Sequence, residues 1–339
     1  MTAIDFKSFS PPAGSGQKRI FMVGATGTIG RATLTSVLDH GYEVVCFFRN
    51  NSVASGHAMP EHPRLTIRYG DITHAESLAI DGFRDESFDL VISCLASRTG
   101  VPRDAWKIDY EAHSTLLQVA KTKGIKHFIL LSALCVQKPR LEFQHAKLAF
   151  ERELIESGLI YSIIRPTAFF KSLSGQVDRV NSGKAFLIFG DGRLTACKPI
   201  SDRDLAKFIL RCIHDDTSWN KILPIGGPGP AITPRDQGDY LFSQLRLKPN
   251  FKSMPLWVLK VIIACLTFAG RYHTSIADKA ELARIGYYYA TESMLVFDID
   301  AGRYDEHLTP STGQDTLFDH YDRLIRGEIS HERGDHSVF

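Results

Sequence analysis

From residue 18 to about 165 the chain alternates short apolar runs with segments of helical period. The runs predict strands over 19–23, 43–48, 65–69, 89–94, 127–131 and 161–164. Between them, apolar positions recurring every three to four residues predict helices over 29–40, 105–123 and 142–157, closed by Gly41, Gly124 and Gly158. Strands that alternate with helices imply a parallel sheet covered on both faces, and right-handed crossovers make it doubly wound.

After residue 165 the pattern loosens. Ser201-Asp202-Arg203-Asp204 opens a helix with a capping-box-like start, 221–225 is a short strand, and Gly226-Gly227-Pro228-Gly229-Pro230 is a turn. Thr233-Pro234 opens another helix, with threonine as cap and proline at the first position. The expected organisation is a flexible lead-in over 1–17, an α/β Rossmann-type domain over 18–166, a smaller substrate region over 167–326 interleaved with the sheet, and a polar tail over 327–339. The greasiest stretch, 256–268, is interrupted by Lys260 and too short to span a bilayer, which takes about 20 apolar residues. It reads as a buried helix, or alternatively as a surface that meets a membrane or an apolar ligand.

Composition narrows the function. With 339 residues, 44% hydrophobic and 23% charged, the chain has enough material for a large α/β domain and an appended region. A formal charge of +2 without a Lys/Arg cluster argues against a nucleic-acid binder. The six cysteines stand singly, several in apolar runs, which reads as buried reduced thiols and a cytoplasmic location; the histidines show no ligand spacing, so no metal is expected.

The strongest motif is Gly24-Ala25-Thr26-Gly27-Thr28-Ile29-Gly30, directly after the first strand and opening the first helix. Its glycines let the backbone turn and approach a pyrophosphate, and the helix N-terminus offers N–H groups and a positive dipole end. The spacing resembles the short-chain dehydrogenase/reductase superfamily. That resemblance implies that Asp71 and Ile72, after the third strand, lie near the adenine, and that Ala96, after the fourth, lies along the ribose. The second strand ends in Arg49 rather than in a carboxylate, which favours a ribose 2′-phosphate and hence NADPH.

Classical members of that superfamily carry a serine after the fifth strand and then Tyr-x-x-x-Lys. Here Ser132 supplies the serine and Lys147 the lysine, but the tyrosine position is Phe143. A phenol protonates the oxygen formed when hydride reaches a carbonyl carbon. Its loss points to a non-catalyst or to a reaction that forms no alkoxide, such as hydride addition to a conjugated C=C bond. Lys147 is the candidate catalytic residue, holding the nicotinamide ribose and keeping the local potential positive. The same resemblance implies that Pro166 and Thr167, at the end of the sixth strand, meet the carboxamide; a plain strand-end turn is the equal alternative. His145 reads as a surface residue with general acid as the alternative. Tyr287-Tyr288-Tyr289 reads equally as an aromatic cluster or as a stacking surface for a flat ligand.

Several later blocks are more specific: Phe143-Gln144-His145-Ala146-Lys147-Leu148-Ala149, Lys198-Pro199-Ile200-Ser201, Leu223-Pro224-Ile225-Gly226-Gly227-Pro228-Gly229 and Tyr289-Ala290-Thr291-Glu292-Ser293-Met294-Leu295. With the glycine loop and Val45-Cys46-Phe47-Phe48-Arg49, they resemble the NADPH-dependent divinyl chlorophyllide a 8-vinyl-reductases over about residues 18–325. The resemblance implies reduction of the C8 vinyl group of a divinyl chlorophyllide or protochlorophyllide to ethyl, in chlorophyll or bacteriochlorophyll synthesis. It makes a tetrapyrrole the expected partner; peripheral contact with photosynthetic membranes is the alternative reading of 256–268 and not a consequence of the resemblance. The N-terminal segment does not resemble a plastid transit segment, which suggests a photosynthetic bacterium. Two alternatives stay open: an isoflavone-reductase-like enzyme with another substrate, and a non-catalytic NADP-binding regulator or assembly factor.

Overall fold

The computed structural model describes residues 18–50 and 59–330. The expected lead-in over 1–17 and most of the polar tail lie outside them.

Seven parallel strands form the central sheet: β1 (Arg19–Val23), β2 (Glu43–Arg49), β3 (Leu65–Gly70), β4 (Leu90–Ser93), β5 (His127–Leu131), β6 (Ile160–Pro166) and, further along the chain, β8 (Lys221–Ile225). Their order is β3-β2-β1-β4-β5-β6-β8, so the winding reverses between β1 and β4. In such sheets the crevice for ligands opens beyond the carboxyl ends of the strands at the reversal.

The strands read as continuous apolar runs because both faces are buried, and consecutive side chains go to opposite sides. Ile20, Met22, Val44, Cys46, Ile92 and Ile129 join one core, where α1 (Thr28–Asp39) packs Leu34, Val37 and Leu38. Phe21, Val23, Val45, Phe47, Val91 and Phe128 join the other, covered by Leu116 and Leu117 of α2 (His113–Thr122) and by Phe150 and Leu154 of α3 (Glu142–Glu156). Each fully buried leucine is worth about 1.5–3 kcal/mol relative to exposure, so these two layers carry much of the stability of the sheet.

The single helix expected over 105–123 is instead three consecutive pieces. An α-turn (Pro102–Ala105) and a π-helical segment (Trp106–Ala112) precede α2. The wider π turn presents Asp109 inward, where it finds three polar partners. Hydrophobic spacing alone does not reveal such a turn, because a short π segment inside a helical run has no residue signature of its own.

Beyond β6 the chain leaves the sheet and comes back to it. The pair β7 (Phe186–Phe189) and β9 (Phe251–Met254) forms a small parallel sheet. Helix α4 (Asp202–Arg211), capped by Ser201 accepting from the Asp204 amide, packs Leu205 and Ile209 beside α1 and leads into β8. Helix α5 (Pro234–Gln244) starts with a reciprocal Thr233–Asp236 capping box. Phe170, Val180, Leu241 and Phe242 join Leu317 and Tyr321 in a separate core, the last two on α8 (Leu317–Ile325). Between α5 and α8 lie α6 (Leu256–Gly270), α7 (Thr274–Thr291) and the hairpin β10 (Val296–Asp298)–β11 (Arg303–Asp305).

Candidate active site

The glycine loop sits at the reversal of the sheet. Gly24 has φ of +77°, and a Cβ there would stand 2.3 Å from the Cys94 carbonyl carbon at the end of β4. Gly30 lies against the loop itself: a Cβ would come within 2.1 Å of the Gly24 carbonyl oxygen. Gly27 is different, since an added Cβ would meet only that oxygen, at 3.7 Å. Thr26 and Gly27 are exposed, whereas Ile29 is buried in the core. Helix α1 has no side-chain cap at Gly27, so its first-turn amides keep their capacity to bind an anion. This open, uncapped helix start fits a dinucleotide pyrophosphate.

Lys171 was not singled out by sequence. It lies just beyond β6, and its ammonium donates to Thr28 Oγ1 at 2.9 Å, bringing a cation to the start of α1. Arg49 ends β2 and is exposed, beside Gly70 in the register of β3. Asp71 follows β3. Its carboxylate accepts from the Thr73 hydroxyl (2.7 Å) and amide (2.9 Å) and pairs with His74 (3.0 Å). Chiefly the Thr73 hydroxyl bond lowers its pKa. Ile72 is buried, and Ala96 is exposed on the loop after β4.

The polar centre lies between β4, β5 and α3. Lys147 Nζ is 2.9 Å from Asp109 Oδ1, with 12% of the lysine side chain exposed and none of the aspartate. The aspartate also accepts from the Ser97 hydroxyl (2.6 Å) and amide (3.2 Å). Beside it His113 Nδ1 is 2.8 Å from the Ile108 carbonyl and Nε2 2.8 Å from Ser93 Oγ. A carbonyl only accepts, so Nδ1 carries the proton and Nε2 accepts from the serine. Burial, aided by the Lys147 charge, pushes the His113 pKa down to about 4, so the ring is neutral at pH 7.

Ser132 is also buried, and its hydroxyl donates to Glu151 Oε1 at 2.5 Å. Arg165 grips both oxygens of that carboxylate, which neutralises a charge with 2% side-chain exposure. Asp109, His113, Ser132 and Lys147 share a cavity of about 10 Å³ with Leu130, Leu131 and Phe150. That is room for about one water molecule. Pro166 and Thr167 are buried, and both Thr167 donors are used within the protein, the amide by the Ile225 carbonyl and the hydroxyl by that of Lys198.

Phe143 is buried against Ile285 and Leu141. His145 is on the surface. The tyrosine run is divided: the Tyr288 hydroxyl donates to the Cys135 carbonyl, Tyr287 lies beneath Lys260 and Tyr289 is exposed. Asp109, Glu151 and Lys171 escaped sequence reasoning because they lie 19 to 143 residues from the partners that give them meaning. Two expectations are corrected. Residues 256–268 do form a helix, but none of its residues is buried, because α7 packs along it on one side and leaves the apolar stripe open. Cys265 on that helix is exposed rather than buried.

Comparison with known proteins agrees with this geometry. A family described as NAD(P)H-binding matches residues 24–216. A chloroplastic divinyl chlorophyllide a 8-vinyl-reductase of Cucumis sativus is 46% identical over 94% of this chain and 79% of its own length. Its counterpart in Arabidopsis thaliana is 42% identical over 98% and 82%. Among solved structures, the NADPH complex of quinone oxidoreductase QOR2 from Escherichia coli has a TM-score of 0.64 at 18% identity, covering 90% of this chain and 99% of that one, a likeness of fold. The cytoplasmic location expected from the cysteines does not stand beside relatives that are chloroplastic. Single reduced thiols separate reducing from oxidising compartments and cannot tell one reducing compartment from another. With such identity over most of both sequences, the chain belongs to the divinyl chlorophyllide a 8-vinyl-reductases.

Proposed function

We propose that this protein reduces the C8 vinyl group of divinyl chlorophyllide a to ethyl with NADPH, in chlorophyll synthesis, and that the same chemistry extends to protochlorophyllide and to bacteriochlorophyll synthesis. The observation that carries the proposal is Phe143, a buried phenyl ring where carbonyl reductases of this fold place their acid, four residues before a retained and ion-paired Lys147.

When bound, NADPH supplies the hydride. The uncapped start of α1, with Gly27 open and Lys171 alongside, holds the pyrophosphate, and Arg49 holds the 2′-phosphate. Asp71 and Ile72 border the adenine, Ala96 the ribose, and Pro166 with Thr167 the carboxamide. Lys147 fixes the nicotinamide ribose and keeps a positive charge where the conjugated system becomes negative. Asp109 and Ser97 hold that ammonium at one place. Neither Phe143 nor the neutral His113 can act as an acid at pH 7. The small cavity beside Lys147 has room for about one water molecule, and the proton that completes the ethyl group comes from solvent. Peripheral contact with a membrane through 256–268 belongs to the same reading, since a flat apolar macrocycle is met at an apolar surface.

Anaerobic incubation with NADPH and divinyl chlorophyllide a tests the proposal by product mass and absorption spectrum. Gain of two hydrogens at C8 is expected. NADPH binding without oxidation in the presence of the tetrapyrrole would instead favour a non-catalytic role.

A further inference from the structure

Helix α6 is the most apolar segment of the chain and also one of the most exposed. Leu256–Gly270 contains no buried residue. Trp257, Val261 and Phe268 are 65%, 51% and 63% exposed, and Tyr272, just past its end, 75%. Trp257, Val261, Ala264, Cys265 and Phe268 recur every three to four residues, so they form one stripe along the helix. An apolar stripe of this size facing water marks a contact surface.

The surrounding charge says what covers it. From residue 245 to 277 the chain has Arg246, Lys248, Lys252, Lys260 and Arg271 and no acidic residue. All five basic residues are exposed. A second copy docking through the same face in two-fold symmetry would set this acid-free segment against itself. An anionic bilayer surface satisfies both features, with apolar side chains entering the acyl boundary and the cations meeting headgroups. At 1.5 Å per residue, α6 is roughly 22 Å long, short of the about 30 Å of a hydrocarbon core. No helix among the described residues is long and apolar enough to cross a membrane. The length thus suits a helix lying in the interface plane. Aromatic residues near both ends, Trp257 and Tyr272, suit the headgroup level.

We propose that α6 docks this protein on an anionic lipid surface, lying parallel to the membrane, with Trp257 and Phe268 inserted and Lys252, Lys260 and Arg271 on the headgroups. The proposal deepens the membrane contact of the reading above by naming the lipid chemistry and the side chains. It also ties that surface to the site: α6 packs on α7, whose Ile285 shares a core with Phe143.

The test is co-sedimentation of the full chain, without substrate, with phosphatidylcholine vesicles carrying or lacking phosphatidylglycerol. Binding is expected only with phosphatidylglycerol present, and weaker at high salt. Trp257→Glu with Phe268→Glu should lower vesicle affinity at least about tenfold, with circular dichroism and NADPH fluorescence titration unchanged. Lys252→Gln, Lys260→Gln and Arg271→Gln together should lower it on anionic vesicles while leaving the fold intact. Absence of vesicle binding would overturn the proposal, as would binding indifferent to both variants. So would a dimer in sedimentation velocity that the double glutamate variant dissociates while vesicles capture nothing. Because no substrate is present, vesicle binding by a chain that fails to reduce detergent-dispersed divinyl chlorophyllide would count against the reaction and not against the docking.

Discussion

Lys147 and Asp109 form an ion pair of 2.9 Å in which the carboxylate is wholly shielded from water and the ammonium nearly so. An aspartate so placed cannot be dispensable. Removing it strands a cation beside a polar cavity, and removing the lysine strands an anion already bonded only to Ser97.

Lys147→Ala should therefore cut turnover by about 10²-fold or more, and Asp109→Ala should cost about 3 kcal/mol of stability besides activity. Asp109→Asn keeps the bond from the Ser97 amide and lets the Ser97 hydroxyl turn to accept from the new NH2, so it should lose less stability than Asp109→Ala. Urea unfolding and single-turnover kinetics on the three variants check this; unchanged turnover in Lys147→Ala would reduce the lysine to a structural role.

Arg49 and Lys171 should separate in their cofactor selectivity. Arg49→Ala is expected to weaken NADPH much more than NADH, since only the former has a 2′-phosphate. Lys171→Ala, at the start of α1, should weaken both alike, because both carry the pyrophosphate. A loss of roughly 1–3 kcal/mol, about fivefold to 150-fold in Kd, is expected for each contact. Fluorescence titration with both cofactors reads it directly.

Phe143→Tyr should bring no gain in vinyl reduction. The ring is buried against Ile285, and a hydroxyl there must find a partner or lose stability. A large rise in kcat would mean that a missing acid had limited the reaction.

Stability should fall on acidification between about pH 6.5 and pH 4. His113 is held near 4 in the folded state, first by burial and then by Lys147. Unfolded, it takes up a proton near 6.5. Between these values the unfolded chain binds the extra proton, so unfolding becomes easier as pH drops. His127, also pushed down to about 4 by burial, acts in the same direction. His113→Gln should flatten this part of a Tm-versus-pH curve, and an unaltered slope would contradict the assignment.

The sheet was legible in the sequence because each buried strand is an apolar run ended by a glycine or a polar turn. Strands β1, β5 and β8 coincide with the expected residues. The phosphate loop was legible because its glycines follow a strand and open a helix. Asp109 was not, since its meaning depends on a π turn and on a lysine 38 residues away. The exposure of α6 was illegible for a related reason: hydrophobicity states what a helix prefers to touch, and only the packing shows that, among the described residues, α7 lies against it without burying any of its side chains.

The strand that enters the sheet late ties distant stretches of the chain together. Because β8 pairs with β6, a chain cut after Pro166 would keep a raw sheet edge and lose the helix that shields α1. The residues before Pro166 and those after it thus complete one sheet, and neither stretch is finished without the other.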